Sequence, residues 1–124
     1  MTDLNIPGGQ ATPDIVADST IGLMTMRGDS YPENALDLFG PVISWVQDFL
    51  SSTDIPFRIE LELLYLNTSS IRAMMDIFDI LEDAHGAGRQ VAVIWYYHDD
   101  NQRVGELAEE FREDYTFLFD IVSR

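Results

Sequence analysis

The organisation of this chain follows from residues 57–84, which open with the run Phe57-Arg58-Ile59-Glu60-Leu61-Glu62-Leu63-Leu64-Tyr65-Leu66. Apolar residues occupy every odd position of this run, and charged residues occupy its first three even positions. Alternation with a period of two predicts a strand with one buried face. Because the run ends in apolar residues at odd and even positions alike, we expect both faces to be covered there, as in the interior of a sheet that carries helices.

A turn of four small polar residues, Asn67-Thr68-Ser69-Ser70, follows this strand. An amphipathic helix is predicted next, because apolar residues recur at helical spacing: Ile71, Met74, Met75, Phe78 and Leu81. The turn therefore places hydroxyl groups at a helix N-terminus, towards which backbone N–H groups and the positive end of the helix dipole point. One interpretation is ordinary capping by one of the four residues. The other is an exposed hydroxyl that accepts a phosphate, and we place the candidate functional site here.

The remaining segments predict a single α/β domain over residues 1–124, with residues 1–11 as a turn or mobile tail. Residues 12–17 and 21–27 form an N-terminal hairpin, and further strands cover 90–97 and 115–121. A helix begins with a capping box from Ser30 to Glu33, and Pro41 kinks it or divides it in two. Another helix is capped by Asp99 or Asp100. Strands alternating with helices indicate a parallel core in a mixed sheet of four or five strands, with the helices packed on it.

Composition excludes several classes of function. The 124 residues include no cysteine, which rules out disulfides, thiolate metal sites and cysteine nucleophiles. The net charge of −15 repels DNA, RNA and anionic lipid headgroups, so we expect neither nucleic-acid nor membrane partners. A protein with a basic patch and a divalent cation both remain open as partners. The N-terminus does not resemble a signal peptide, and we expect a soluble cytoplasmic protein.

The most enzyme-like cluster is His98-Asp99-Asp100, which follows a predicted strand directly. A small metal-assisted hydrolase that uses these three residues is one hypothesis. A helix cap beside a surface histidine explains the same residues, and we expect no transition-metal site at His98 because no cysteine and no second histidine lies at ligand spacing. The carboxylates at positions 76, 79, 82 and 83 lie opposite the apolar stripe of their helix, as a solvated face does. No nucleotide-binding loop or cofactor motif is present, so we predict no cofactor.

A strand, a hydroxyl-rich turn and a helix in succession resemble the phosphorylation site of STAS domains, the anti-sigma-factor antagonists. The chain is most similar to a STAS-like relative of that group, the SiaC family of bacterial biofilm-regulatory phosphoproteins. The similarity is carried by Leu63-Leu64-Tyr65-Leu66-Asn67-Thr68-Ser69-Ser70-Ile71 and by three further segments, which are residues 28–34, 73–78 and 108–114.

The resemblance implies a switch protein that is not an enzyme. Its unphosphorylated form would bind and activate a diguanylate cyclase and so promote cyclic-di-GMP synthesis. A dedicated serine/threonine protein kinase would phosphorylate Thr68, and a PP2C-type phosphatase would remove the phosphate. The partner-binding residues would be those of the turn and its neighbour: Asn67, Thr68, Ser69, Ser70 and Arg72. An anti-sigma-factor antagonist with the same switch is the alternative.

Overall fold

The computed structural model describes residues 1–124, which build a six-stranded mixed sheet with its strands in sequence order. The strands are β1 (Leu4–Ile6), β2 (Asp14–Asp18), β3 (Leu23–Ser30), β4 (Phe57–Leu66), β5 (Val91–Tyr97) and β6 (Leu118–Ser123). The helices are α1 (Ala35–Ser52), α2 (Thr68–Gly86) and α3 (Gln102–Glu113). Strand β2 is antiparallel to its neighbours β1 and β3, and β3 to β6 are parallel. The predicted α/β class, the N-terminal hairpin and the parallel core are confirmed.

Six strands are present instead of four or five because β1 lies in the stretch predicted as a turn or tail. Leu4 pairs with Ala17 and Ile6 with Ile15, and both apolar side chains pack against the core. The indole N–H of Trp45 donates to the Thr2 carbonyl at 2.9 Å, which holds the residues before β1 against α1. A strand of three residues is too short to show alternation, so the sequence pattern does not reveal it.

The helices cover one face of the sheet. Strands β3 to β6 are parallel and lie side by side in sequence order. Right-handed crossovers between such strands place every connecting helix on the same side of the sheet. Over residues 57–63 of β4, the buried residues are accordingly Phe57, Ile59, Leu61 and Leu63, whereas the residues between them are exposed or half-buried. The expectation that both faces are covered at the end of β4 is therefore wrong.

A β-bulge explains the apolar end of β4. Gly28 pairs with Leu63 and Asp29 pairs with Tyr65, so Leu64 is an extra residue on β4. Leu64 and Tyr65 are 41% and 50% exposed, and Leu66 then points back into the core. One inserted residue exchanges the two faces of the strand beyond it. The predicted interior position of β4 is confirmed, since it pairs with β3 on one side and β5 on the other.

Helix α1 differs from the prediction at its start and its middle. Its cap is Asn34, whose Oδ1 accepts from the N–H groups of Leu36 and Asp37, and not Ser30. Ser30 is instead the buried last residue of β3. The helix is continuous through Pro41, so a division into two helices is wrong. Because proline has no N–H, the carbonyl four residues before Pro41 lacks its helical donor. Pro41 is exposed, so water can satisfy that carbonyl.

Helix α2 ends at Gly86, and a left-handed glycine follows it. Gly88 has a φ of +93° and its N–H donates to the His85 carbonyl. Positive φ carries no steric cost for glycine because it has no Cβ. None of the three helices is long and apolar enough to cross a bilayer.

Candidate functional site

The turn between β4 and α2 is capped by Asn67. Its Oδ1 accepts from the Ser70 backbone N–H at 2.9 Å and from the Ser69 hydroxyl at 3.1 Å. The Asn67 N–H donates to the Ser30 carbonyl at 2.9 Å, which fixes the turn to the end of β3. Of the four residues that the sequence leaves open as caps, Asn67 fills this role, and Thr68 becomes the first residue of α2.

Ser70 faces inward and is fully buried. Its hydroxyl donates to the Ser30 carbonyl at 3.0 Å and lies 2.7 Å from the Ser30 hydroxyl. Buried hydroxyls are stable only when they are hydrogen-bonded, and this pair satisfies both of its members. Among the predicted partner-binding residues, Ser70 is the one without exposed surface, and it supports the turn from within.

Thr68 is exposed and lines a cavity of about 490 Å³ between the end of β4, the start of α2 and α3. We call this cavity the Thr68 groove. Its lining residues are Leu64, Tyr65, Leu66, Asn67, Thr68, Ile71, Asn101, Arg103, Val104, Glu106, Leu107 and Glu110. Six of these twelve residues are apolar, and the three charged ones all lie on α3.

Asn101 holds the two sides of the Thr68 groove together. It caps α3, accepting from the Val104 N–H at 3.4 Å, and its Nδ2 donates to the Leu64 carbonyl at 3.0 Å. The start of α3 is thereby joined to the bulged end of β4. The prediction that Asp99 or Asp100 caps this helix is wrong, since Asn101 is the residue whose side chain reaches the free N–H groups.

Two arginines lie near Thr68, and the sequence pointed to only one of them. Arg72 is exposed, forms an ion pair with Asp76 at 3.9 Å and does not line the Thr68 groove. Arg103 of α3 does line it. Local sequence gives no sign of Arg103, which is 35 residues away from Thr68 along the chain. The available signal is topological, because adjacent parallel strands bring the starts of their following helices to the same edge of the sheet.

Aromatic and aliphatic side chains are exposed beside the turn, although the sequence pattern predicted burial for those of β4. The rings of Tyr31 and Tyr65 meet edge to face, with their centroids 6.1 Å apart, and Leu64 adjoins Tyr65 at the bulge. Exposed apolar groups that cluster in this way are typical of interaction surfaces.

The residues of the enzyme-like cluster do not converge. His98 is exposed and its Nε2 lies 3.8 Å from a Glu62 oxygen, while the backbone carbonyl of Asp99 accepts from the Gln102 side chain. Asp100 is exposed. No group of three or more His, Cys, Asp or Glu side chains is arranged to hold a metal ion.

Two carboxylates on the outer face of α2 bind the segment before β6. Glu82 accepts from the hydroxyl and backbone N–H of Thr116, and these hydrogen bonds hold the pKa of Glu82 below its ordinary value. Asp79 accepts from the Tyr115 hydroxyl at 2.9 Å, and burial together with this hydrogen bond raises the pKa of Tyr115. Asp79 and Glu82 therefore join α2 to the segment before β6. The prediction that they belong to a solvated face is wrong for these two residues.

Fold and turn together define a small α/β protein in which an exposed hydroxyl lies at the start of a helix beside a groove. The chain belongs to the SiaC family of regulatory phosphoproteins, whose family model matches residues 6–124. It is 58% identical over 121 residues to an uncharacterized protein of Pseudomonas aeruginosa (strain UCBPP-PA14), covering 98% of this chain and 96% of the relative.

Solved structures agree with this assignment. SiaC of Pseudomonas aeruginosa superposes with a TM-score of 0.95 at 56% identity, covering all of both chains. A chain in the crystal structure of diguanylate cyclase SiaD in complex with its activator SiaC, from the same organism, superposes with a TM-score of 0.96 at 56% identity, covering 98% of this chain and 100% of the other. The crystal structure of apo-SiaC gives a TM-score of 0.92 at the same identity, covering 98% and 99% of the two chains.

Proposed function

We propose that this protein is a phosphorylation-controlled activator of a diguanylate cyclase. The unphosphorylated form binds and activates the cyclase, and so raises cyclic-di-GMP synthesis in the control of biofilm formation. A serine/threonine kinase phosphorylates Thr68 and blocks binding, and a PP2C-type phosphatase reverses the block. The observation that carries this proposal is the close likeness, in sequence and fold, to the SiaC chain in the complex with its cyclase. The protein itself acts through binding and not through catalysis.

Burial supports Thr68 as the phosphate acceptor. Ser70 is buried against Ser30, so a kinase cannot reach its hydroxyl in the folded protein. Thr68 and Ser69 are exposed, and the Ser69 hydroxyl is already donated to the cap Asn67. A phosphate on Thr68 is also favoured at the first residue of a helix, where free N–H groups and the helix dipole stabilise negative charge by roughly 0.3–1 kcal/mol. Phosphorylation should therefore leave the fold intact.

The cyclase-binding surface is proposed to include Asn67, Thr68, Ser69 and Arg72. A phosphate adds a charge of about −1.5 to −2 at the centre of this surface. Disrupting a central interface residue costs about 2 kcal/mol or more, which corresponds to more than a tenfold loss of affinity. Since the protein carries a net charge of −15, the surface that it contacts on the cyclase is expected to be basic or apolar.

The proposal is tested by titrating the cyclase SiaD of Pseudomonas aeruginosa with purified variants and measuring affinity by calorimetry. Unmodified protein and Thr68→Ala should bind alike, and Thr68→Asp should bind at least tenfold more weakly. Thr20→Asp is the matched control, because it makes the same change at an exposed turn outside the proposed surface, and it should bind like the unmodified protein. Equal binding by Thr68→Asp and the unmodified protein would contradict the proposal. Ser69→Asp tests the neighbouring hydroxyl, and a loss confined to Ser69→Asp would move the switch to Ser69.

A further inference from the structure

Arg103 differs from every other arginine of this protein. The chain has no lysine, and its seven basic residues are all arginines. Five of them form ion pairs with carboxylates: Arg27, Arg58, Arg72, Arg112 and Arg124. Arg89 donates to three oxygen atoms around the end of α1. Arg103 has no ion-pair or hydrogen-bond partner for its guanidinium. In a protein with 22 acidic residues, an unpaired arginine is unexpected on electrostatic grounds.

The position of Arg103 does not stabilise the helix that carries it. It is the second residue of α3, close to the positive end of the helix dipole, and the first turn of α3 contains no acidic residue. A positive charge at a helix N-terminus is unfavourable, since acidic residues are the ones stabilised there. The stability of α3 therefore gives no reason for an arginine at this position.

The Thr68 groove brings Arg103 and Thr68 together. Both side chains line it, one from α3 and the other from the first turn of α2, which also lacks an acidic residue. The hydrogen bond from Asn101 to the Leu64 carbonyl fixes the start of α3 to β4, two residues before Arg103. We propose that Arg103 binds the phosphate of phospho-Thr68 across this groove and closes it. This inference rests on the proposed role of Thr68.

Two carboxylates on the same groove compete for Arg103. Glu106 lies one turn further along α3, and Glu110 lies a turn beyond it. Arginine binds phosphate bidentately with strong, charge-assisted hydrogen bonds. The phosphate also carries a charge of about −1.5 to −2, against −1 for a carboxylate. Phosphate on Thr68 is therefore the stronger ligand for Arg103, which is paired with neither carboxylate in the unmodified protein.

Closure of the groove changes how phosphorylation blocks a partner. The Arg103–phosphate pair covers the apolar side chains of Ile71 and Leu107 between α2 and α3. A partner that docks over the turn loses this apolar surface and meets a neutralised phosphate. The block then depends on Arg103, in addition to the bulk of the phosphate.

The pairing is tested on the full chain with phosphothreonine incorporated at position 68, by following the ³¹P resonance during a pH titration. In the wild-type protein Arg103 lowers the second pKa of the phosphate, and Arg103→Gln should raise that pKa by about half a unit or more. Arg72→Gln is the matched control, because Arg72 is near Thr68 in sequence but outside the groove. Glu106→Gln should lower the phosphate pKa further by removing a competitor. Equal values for wild type and Arg103→Gln, or a shift that follows Arg72 instead, would overturn the inference.

A second measurement separates this inference from the proposed function. Phosphorylated Arg103→Gln should bind the cyclase at least threefold more tightly than phosphorylated wild type does. The affinity of unphosphorylated Arg103→Gln is the reference for this comparison. No recovery would overturn groove closure. If Arg103→Gln leaves the phosphate pKa unchanged while phosphorylation still blocks the cyclase, the pairing fails and the proposed function stands. If the pKa responds but phosphorylation does not alter cyclase binding, the pairing stands and the proposed function fails.

Discussion

Four neighbouring polar residues, Asn67 to Ser70, have different surroundings although each is an acceptable helix cap by sequence. Asn67 caps α2, Thr68 lines the groove, Ser69 donates to the cap and Ser70 is buried against β3. The sequence predicted the turn and an exposed hydroxyl at it. It could not rank the three hydroxyls, because their exposure depends on Ser30, which lies 40 residues away on β3.

Replacing Ser70 with alanine tests the buried pair. The change removes a hydrogen bond to the Ser30 carbonyl and leaves the Ser30 hydroxyl without its buried partner. We expect the free energy of unfolding to fall by about 1–2 kcal/mol in urea denaturation. Ser69→Ala, at an exposed position, should stay within about 0.5 kcal/mol of wild type. Equal stability of both variants would show that the buried hydroxyls contribute nothing.

At the scale of elements, periodicity predicted which segments are strands and helices, and long-range pairing decided their details. The apolar residues at the end of β4 were interpreted as burial on both faces, whereas they follow from the bulge at Leu64. A bulge depends on the partner strand, here on Gly28 and Asp29 of β3, and local alternation does not encode it. The same bulge exposes Leu64 and Tyr65 beside Thr68. The wrong prediction of burial therefore concerns residues at the candidate site.

The C-terminus of α1 offers a second example of long-range pairing. Its last turn has no basic residue, but Arg89 donates to the Leu50 carbonyl at 2.7 Å, to the Thr53 hydroxyl at 2.9 Å and to the Ile55 carbonyl at 2.9 Å. A cation from beyond α2 thus satisfies the Leu50 carbonyl, which the helix leaves free, and the Ile55 carbonyl after its end.

Arg89→Met keeps the length of the side chain and removes these hydrogen bonds. Hydrogen bonds to charged groups contribute about 1.5–3 kcal/mol, and we expect a loss of about 2 kcal/mol or more in the free energy of unfolding. Arg112→Met removes an exposed ion pair with Glu109 and should cost no more than about 0.5 kcal/mol. If both substitutions have the same small effect in chemical denaturation, Arg89 does not stabilise the C-terminus of α1.

For the whole molecule, the sequence predicted an acidic surface, and the structure gives the charges their positions. Helices α2 and α3 carry eight of the 22 acidic residues, whereas the open face of the sheet gathers Arg27 and Arg124 around Glu62, at 3.7 and 3.2 Å. Composition gives the net charge of the protein but does not show where the charged residues lie. The sequence also could not show that α2 is fastened to the segment before β6, since Glu82 and Thr116 are distant along the chain.

The contact between Glu82 and Thr116 predicts how stability depends on acid. Hydrogen bonds hold the pKa of Glu82 in the folded state below its ordinary value of 4.5. The stabilisation is therefore complete above that value and is lost as the pH falls through the folded-state pKa. Glu82→Gln should lose less stability than wild type when the pH is lowered from about 5 to about 3. Urea denaturation at each pH measures this difference.

Asp83→Asn is the control for this titration, because it removes a neighbouring carboxylate that makes no hydrogen bond to the segment before β6. It should keep the acid dependence of the wild-type protein. Parallel pH profiles for wild type and Glu82→Gln would contradict the assigned cause.

We propose that the unmodified turn activates a diguanylate cyclase and that a phosphate on Thr68 prevents this. The most direct measurement is the rate of cyclic-di-GMP formation by SiaD of Pseudomonas aeruginosa as a function of the concentration of this protein. The unmodified chain should raise the rate to a plateau. The chain with phosphothreonine at position 68 should need at least tenfold more protein to reach the same rate, because the phosphate disrupts the centre of the interface. Identical activation curves for the two forms would contradict the account.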